Sequence, residues 1–237
     1  MLERVVTKLS RISQLSKDDA YNVLAWNGAA ETIHARNIIT KENQTADKCA
    51  ILVNGIACRS KMLASGERQI LSFHLPGDML DLQHFLFSTA DHYIEAVTAC
   101  RIWWVPYQQI RDTIGQSPAL MEALWRDTLL DASIFREWIL NVGRRNAKTR
   151  VAHLLCELRE RMVVAGVSFE GLPDYILTQE YLADATGLTA VHVNRMIGEL
   201  RERGALPPRG EAVTSEHVAL LRAIADFRPN YLHQLAS

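Results

Sequence analysis

The sequence predicts an α+β chain: an antiparallel β-roll, then a long helix, then a winged helix-turn-helix. Three observations predict it. Between Glu31 and about Trp104, short β-rich runs alternate with turn residues. From Pro118 to Val142, apolar residues recur in steps of four and three. In Leu177–Arg203, Ala183 is followed four positions on by Gly187 and six further by Val193. That last spacing is the pattern of two short helices crossing at a tight turn.

In chain order, Ser16 with Asp19 three residues later forms a capping-box pattern and opens a short helix through about Trp26. Strand runs follow at Thr32–Thr40, Ala50–Met62, Gln69–Leu75, Tyr93–Thr98 and Arg101–Val105. Asn54-Gly55, Ser65-Gly66 and Pro76-Gly77-Asp78 punctuate them. Many short strands at such spacing indicate an antiparallel roll or barrel. Ser117-Pro118 starts the long helix, because proline is tolerated in a first turn. Its seam of Met121, Trp125, Thr128, Ala132, Phe135, Ile139 and Val142 has heptad spacing, as expected of a parallel homodimer. Leu120, Leu124, Ile134 and Trp138 lie on a neighbouring face and are expected to pack on the chain's own roll. Gly143 is the expected hinge. A helix from Asn146 to Val164 follows, with Val151, Leu154, Leu155 and Leu158 inward. After the helix-turn-helix, Gly204–Gly210 separates two short extended pieces that suit a wing, and Ser215–Phe227 reads as a last helix. The expected domains are therefore 1–117, 118–142 and 143–237.

The chemistry sits on the second helix of the pair, Thr189–Arg201. Thr189 is the expected N-cap, its hydroxyl taking an otherwise unpaired N–H. Gly187 meets the need for a positive φ at the turn. Leu182, Ala183, Val193, Met196, Ile197 and Leu200 point inward. Val191, Asn194 and Arg195 fall at i, i+3 and i+4 and share the outer face. An arginine can donate to O6 and N7 of guanine, an asparagine can bridge N6 and N7 of adenine, and a valine can only touch a thymine methyl. The expected partner is double-stranded DNA. A charge run is usually a solvated face, but Asn141–Cys156 has no acid among Arg144, Arg145, Lys148 and Arg150, and Arg195, Arg201, Arg203 and Arg209 follow near the proposed reading helix, which favours phosphate contacts.

A formal net charge of −1 over 237 residues, with 48% hydrophobic residues, fits folded domains rather than a basic nonspecific nucleic-acid binder. No apolar stretch approaches the ~20 residues a bilayer span needs, and no secretory h-region is seen at the start, so a cytoplasmic protein is expected. Cys49, Cys58, Cys100 and Cys156 are widely spaced without a C-x-x-C pair. They read as reduced, buried side chains, and no metal site is expected. No Gly-x-Ser-x-Gly elbow, phosphate-binding glycine loop or His-Glu-x-x-His helix is present, and His92 and Glu95 would not face together on a strand. An enzyme is not expected.

The chain resembles the Crp/Fnr family of bacterial transcription regulators. The residues that carry the resemblance are Gly66-Glu67-Arg68-Gln69-Ile70 and Pro76-Gly77-Asp78 in the roll. Further on they are Arg150-Val151-Ala152 with Leu154-Leu155, Leu177-Thr178-Gln179 with Leu182-Ala183, and Gly187-Leu188-Thr189 with Val193-Asn194-Arg195. The resemblance implies a cupin-like, cyclic-nucleotide-binding-like roll and a dimeric regulator reading a palindromic operator, with RNA polymerase as a further partner if it activates. The DNA-contact set it implies is Thr178, Gln179, Thr189, Val191, His192, Asn194 and Arg195. His192 suits either a phosphate contact or an exposed filler. Nucleotide-binding members place a glutamate where Leu82 stands here, and an arginine where Ala90-Asp91-His92 has none. Without a cation a buried cyclic phosphate loses its strongest interactions, so cyclic AMP is disfavoured. An iron–sulfur cluster is disfavoured as well, since the first cysteine is Cys49. The effector stays unknown. The alternatives are an effector-independent regulator, or a haem-based gas sensor using His34, His74, His84 or His92.

Overall fold

A computed structural model of the chain describes residues 1–87, 89–167, 177–209 and 211–233. They form two compact units. The first comprises Met1–Lys61, Ser72–Ile134 and the chain from Leu232; the second comprises Met62–Leu71 and Phe135–Tyr231. The division falls inside the long helix. Among the described residues no helix is long and apolar enough to cross a membrane.

The first unit begins with two helices, α1 (Glu3–Ile12) and α2 (Lys17–Leu24). Ser16 caps α2 in the expected box with Asp19. Seven strands follow among the described residues: β1 (Ala29–Ile33), β2 (Ile38–Thr40), β3 (Lys48–Asn54), β4 (Ala57–Met62), β5 (Arg68–His74, of which Arg68–Leu71 count with the second unit), β6 (Tyr93–Ala96) and β7 (Cys100–Pro106). One sheet has the order β1-β7-β3 and the other β2-β6-β4-β5. The Thr32–Thr40 run is split, because the chain turns at Arg36 with φ 68° between β1 and β2. Gly55, at φ 92° with its Cα against the Ala99 carbonyl, makes the β3–β4 turn that a side chain would block. Ile33, Leu52, Ile94 and Ile102 join the core shared by both sheets. Each fully buried branched residue contributes about 1.5–3 kcal/mol.

A second core lies under helices. Val5, Leu9 and Ile12 of α1 meet Tyr107, Ile110 and Ile114 of α3 (Tyr107–Ile114), and Leu120 and Leu124 of α4 (Pro118–Arg144). Lys8 ties three parts of this unit together, its Nζ 2.8 Å from Asp78 and 2.7 Å from Asp127. Those carboxylates hold the Lys8 proton well above the ordinary lysine range, against the effect of burial.

The second unit holds the end of α4 with α5 (Ala147–Val164), α6 (Gln179–Thr186), α7 (Ala190–Glu202) and α8 (Ser215–Ala225). The helix α4 runs through Gly143, correcting the expected break there. The interruption comes at Arg145–Asn146, where the Asn146 side chain accepts from the Thr149 N–H at 3.0 Å and starts α5. Trp138 is buried as expected, but in this unit, where its indole donates to Glu157 at 3.1 Å. Glu157 also accepts from Tyr231 at 2.8 Å and Arg161 at 3.3 Å. A buried carboxylate needs such donors to offset its lost hydration. The expected wing strands are not found among the described residues. Gly204 takes φ 72°, the Ala205 N–H closes back on the Leu200 carbonyl at 2.9 Å, and Pro207-Pro208 supply no ladder donors. Gly210 lies outside the described residues.

Candidate nucleic-acid interface and roll interior

Local chemistry builds the helix pair α6 and α7. Thr178 caps α6, its hydroxyl accepting from the Tyr181 N–H, and Gly187 closes α6 at φ 63°. The Leu188 N–H then returns to the Ala183 carbonyl at 3.1 Å. Thr189 caps α7, accepting from the His192 N–H at 3.2 Å. Leu182, Ala183, Val193, Met196, Ile197 and Leu200 are all buried, so the sequence periodicity located the inner face correctly. On the outer face Val191 is 81% exposed, and Asn194 and Arg195 are exposed beside it.

One contact in this group was not legible in the sequence. Gln179 donates to Asn194 Oδ1 at 2.9 Å. That bond joins the first turn of α6 to the outer face of α7 and orients the Asn194 carboxamide. The Gln179 side chain is thus engaged by Asn194, while Thr178 and Thr189 use their hydroxyls on caps. His192 is half-buried.

The basic run near α5 has a different use from the one expected. Arg145 pairs with Glu137 at 2.6 Å, and Lys148 with Glu199 at 2.6 Å. Arg150 donates to the Thr186 carbonyl at 2.7 Å and the Arg145 carbonyl at 3.1 Å. Arg150 therefore satisfies the carboxyl end of α6, where orphan carbonyls concentrate. Three of these four cations are committed within the unit, and Arg144 is exposed. In the same unit Arg68 pairs with Asp184 at 2.7 Å, and Gln69 donates to the Asp184 carbonyl at 2.7 Å.

Along α4, Met121, Trp125 and Ile139 are 47%, 65% and 73% exposed, with Thr128 exposed and Ala132, Phe135 and Val142 half-buried. Leu129 and Leu140, which the seam omitted, are exposed too.

The four histidines named for the roll separate clearly. His34 is exposed on a turn, and His74 is buried against Ser72 at 3.1 Å. His84 and His92 are stacked, with centroids 5.5 Å apart and planes 19° apart. Stacked face to face, the two rings do not point end-on at a common centre from opposite sides. Next to them stands Asp81, which sequence reasoning passed over. Arg59, also missed, is buried in the roll, where it donates to the Leu80 carbonyl at 2.7 Å and pairs with Asp131 of α4 at 3.4 Å. All four cysteines are buried and free. Burial pushes the Cys100 thiol up to about 11 and the Cys156 thiol up to about 12, which makes them poor thiolate ligands.

Two family models match the chain: the cyclic nucleotide-binding domain over residues 30–117 and the Crp-like helix-turn-helix domain over residues 149–224. The nitrogen fixation regulation protein FixK of Azorhizobium caulinodans is 30% identical over 196 residues, covering 80% of this chain and 77% of that protein. FixK of Bradyrhizobium diazoefficiens is 30% identical, covering 79% of each. The solved structure of FixK2 from Bradyrhizobium japonicum superposes with a TM-score of 0.71 at 23% identity, covering 82% of this chain and 97% of that one. With that fold, the capped helix pair and these relatives, the chain belongs to the Crp/Fnr family and is a transcription regulator with a helix-turn-helix DNA-binding domain.

Proposed function

We propose that the chain acts as a homodimer that reads a palindromic operator with α7 of each protomer, in response to a signal that is neither cyclic AMP nor an iron–sulfur cluster. The observation that carries this reading is the outer face of α7, where Arg195 and a Gln179-oriented Asn194 stand clear of the protein beside Val191. Donors arranged so can reach base edges, and Val191 selects against the cytosine contact a carboxylate would make. The apolar residues left exposed along α4 argue for a partner helix, since such surface costs about 25 cal/mol per Å² left in water. Operator half-sites on one DNA face are about 34 Å apart, so dimer geometry decides whether both engage.

Against cyclic AMP, the resemblance puts Leu82 near the position of the ribose glutamate, no arginine stands around Ala90-Asp91-His92, and Arg59 is committed to Leu80 and Asp131. The Arg59–Asp131 pair also joins the strand β4 to α4 within the first unit, a route by which a change in the roll reaches the dimer helix. A signal moves such an equilibrium only by its differential affinity for the two states. The setting is the cytoplasm, with RNA polymerase as partner if the protein activates.

Sedimentation of the wild type and of Trp125→Glu, with and without an operator duplex, tests this. The wild type should run as a dimer and bind one duplex per dimer. The variant should dissociate and lose most of its affinity. A dimer unaffected by Trp125→Glu would remove α4 as the interface.

A further inference from the structure

The geometry points to a divalent transition-metal site inside the roll, held by Asp81, His84 and His92. These three offer one carboxylate oxygen and two imidazole nitrogens, all within 4.8 Å of one another. Asp81 Oδ1 is 3.6 Å from His84 Nδ1 and 3.6 Å from His92 Nε2. For metal–ligand bonds of about 2.1 Å a tetrahedral edge is about 3.4 Å, so two of the three edges already have coordination length. The third closes by a small ring movement.

The second line of support is the state of the ligand atoms. Asp81, His84 and His92 are 1%, 6% and 2% exposed. Asp81 Oδ1 and both ring nitrogens of His84 have no hydrogen-bond partner. Buried polar atoms without partners are costly, and a cation bound by Asp81 Oδ1 and His84 Nδ1 satisfies those two, leaving His84 Nε2 to carry the ring proton. The neighbours behave as supports for ligands. Thr40 donates to Asp81 Oδ2 at 2.6 Å, which turns Oδ1 toward the histidines. Asp91 lies 2.7 Å from His92 Nδ1, so the proton sits on that nitrogen and the lone pair of Nε2 faces Asp81. A carboxylate behind a ligand histidine is the usual arrangement for fixing its tautomer. The Gln83 amide nitrogen, at 3.2 Å and 3.4 Å from the two ring nitrogens of His92, is shared too evenly to satisfy either.

Arg59 is the charge that opposes a cation here, and Asp131 at 3.4 Å takes up that charge. Two imidazoles and one carboxylate suit zinc, iron(II), cobalt(II) or nickel(II) rather than calcium or magnesium, with water in the remaining positions. Leu80, whose carbonyl Arg59 holds, directly precedes the ligand Asp81. A metal seated there acts on the same bridge to α4 through which the proposed signal passes. The site itself is assigned independently of the operator reading, and its test uses no DNA.

The full-length protein, stripped with chelator and titrated with Co²⁺ and Zn²⁺, should bind one ion per chain and develop cobalt d–d absorption. Asp81→Asn and His84→Gln should each lose at least about tenfold in affinity, with thermal melts of the metal-free proteins recorded alongside. X-ray absorption on the wild-type Co²⁺ and Zn²⁺ forms should show a nitrogen and oxygen shell with imidazole scattering, a readout that does not depend on the variants folding. No uptake by the wild type, unchanged affinity in folded variants, or a shell containing sulfur or lacking imidazole would overturn the assignment. The first of these would leave an ordered water in the cluster instead.

Discussion

Replacing Arg195 by alanine isolates base reading from everything else the helix does. Its side chain is exposed, and among the described residues no hydrogen bond or ion pair holds it. Glu199, one turn along α7, is already taken by Lys148 at 2.6 Å. Truncation therefore removes only its attraction to the Glu199 charge, and the thermal melt should move little. A guanidinium facing a guanine contributes about 1–3 kcal/mol of discrimination, so each half-site should lose about 5- to 150-fold. In a symmetric dimer both half-sites lose it, for a total of about 2–6 kcal/mol if the sites are independent. Fluorescence anisotropy on the operator and on a scrambled duplex, repeated over a salt series, reads this directly. The operator should weaken while the scrambled duplex changes little, and the salt slope should hold. Equal weakening on both duplexes, with the slope shallower by about 2 for the two protomers, would make Arg195 a phosphate contact and refute the reasoning.

Three further expectations concern other parts of the molecule. Val191→Glu should shift the preferred base pair opposite that position toward one presenting a cytosine N4 donor, as read by competition among duplexes differing at that pair; an unchanged ranking would show that Val191 does not face a base. Lys8→Met strands Asp78 and Asp127 without their cation, so urea unfolding at neutral pH should show a loss of about 3–5 kcal/mol. Burial already raises the Asp127 carboxyl, so the deficit should narrow in acid, where protonation removes the stranded charge; a deficit that widens in acid would count against this. His153 is held neutral by burial and the Arg145 guanidinium, its pKa lowered from 6.5 to about 3, because the nearby Glu137 carboxylate is engaged by Arg145. Between those values the unfolded chain binds the proton and the native chain does not, so stability falls with acidification from about pH 6.5 toward 3. The wild type should lose about 1–2 kcal/mol more than His153→Gln between pH 7 and pH 5; parallel profiles would show that the ring takes up its proton in place.

Local signals carried the parts of the structure that short-range physics determines. The Ser16–Asp19 box, the Gly187 turn, the Thr189 cap and the inner face of α7 follow from neighbours within a few residues. The helix α1 was equally legible, since Val5, Leu9 and Ile12 repeat at helical spacing, but the reading passed over it. What the sequence hid depends on distant chain segments meeting. Nothing near Arg59 announces Asp131, and Asp81, His84 and His92 converge only once the strand β6 brings His92 back to the turn after β5. The basic run at Arg145–Arg150 misled for the same reason. Its partners Glu137, Glu199 and the Thr186 carbonyl are brought to it by the packing of α4, α6 and α7. Gly143 misled differently: a glycine weakens a helix without having to end it.

Selection of bound duplexes from a random pool by the intact protein tests the central claim most directly. The account predicts two inverted half-sites with centres about 10 base pairs apart, each with a guanine where Arg195 reaches and without the cytosine that a carboxylate at Val191 would select. Enrichment of a single unpaired half-site, or no enrichment over the starting pool, would contradict it.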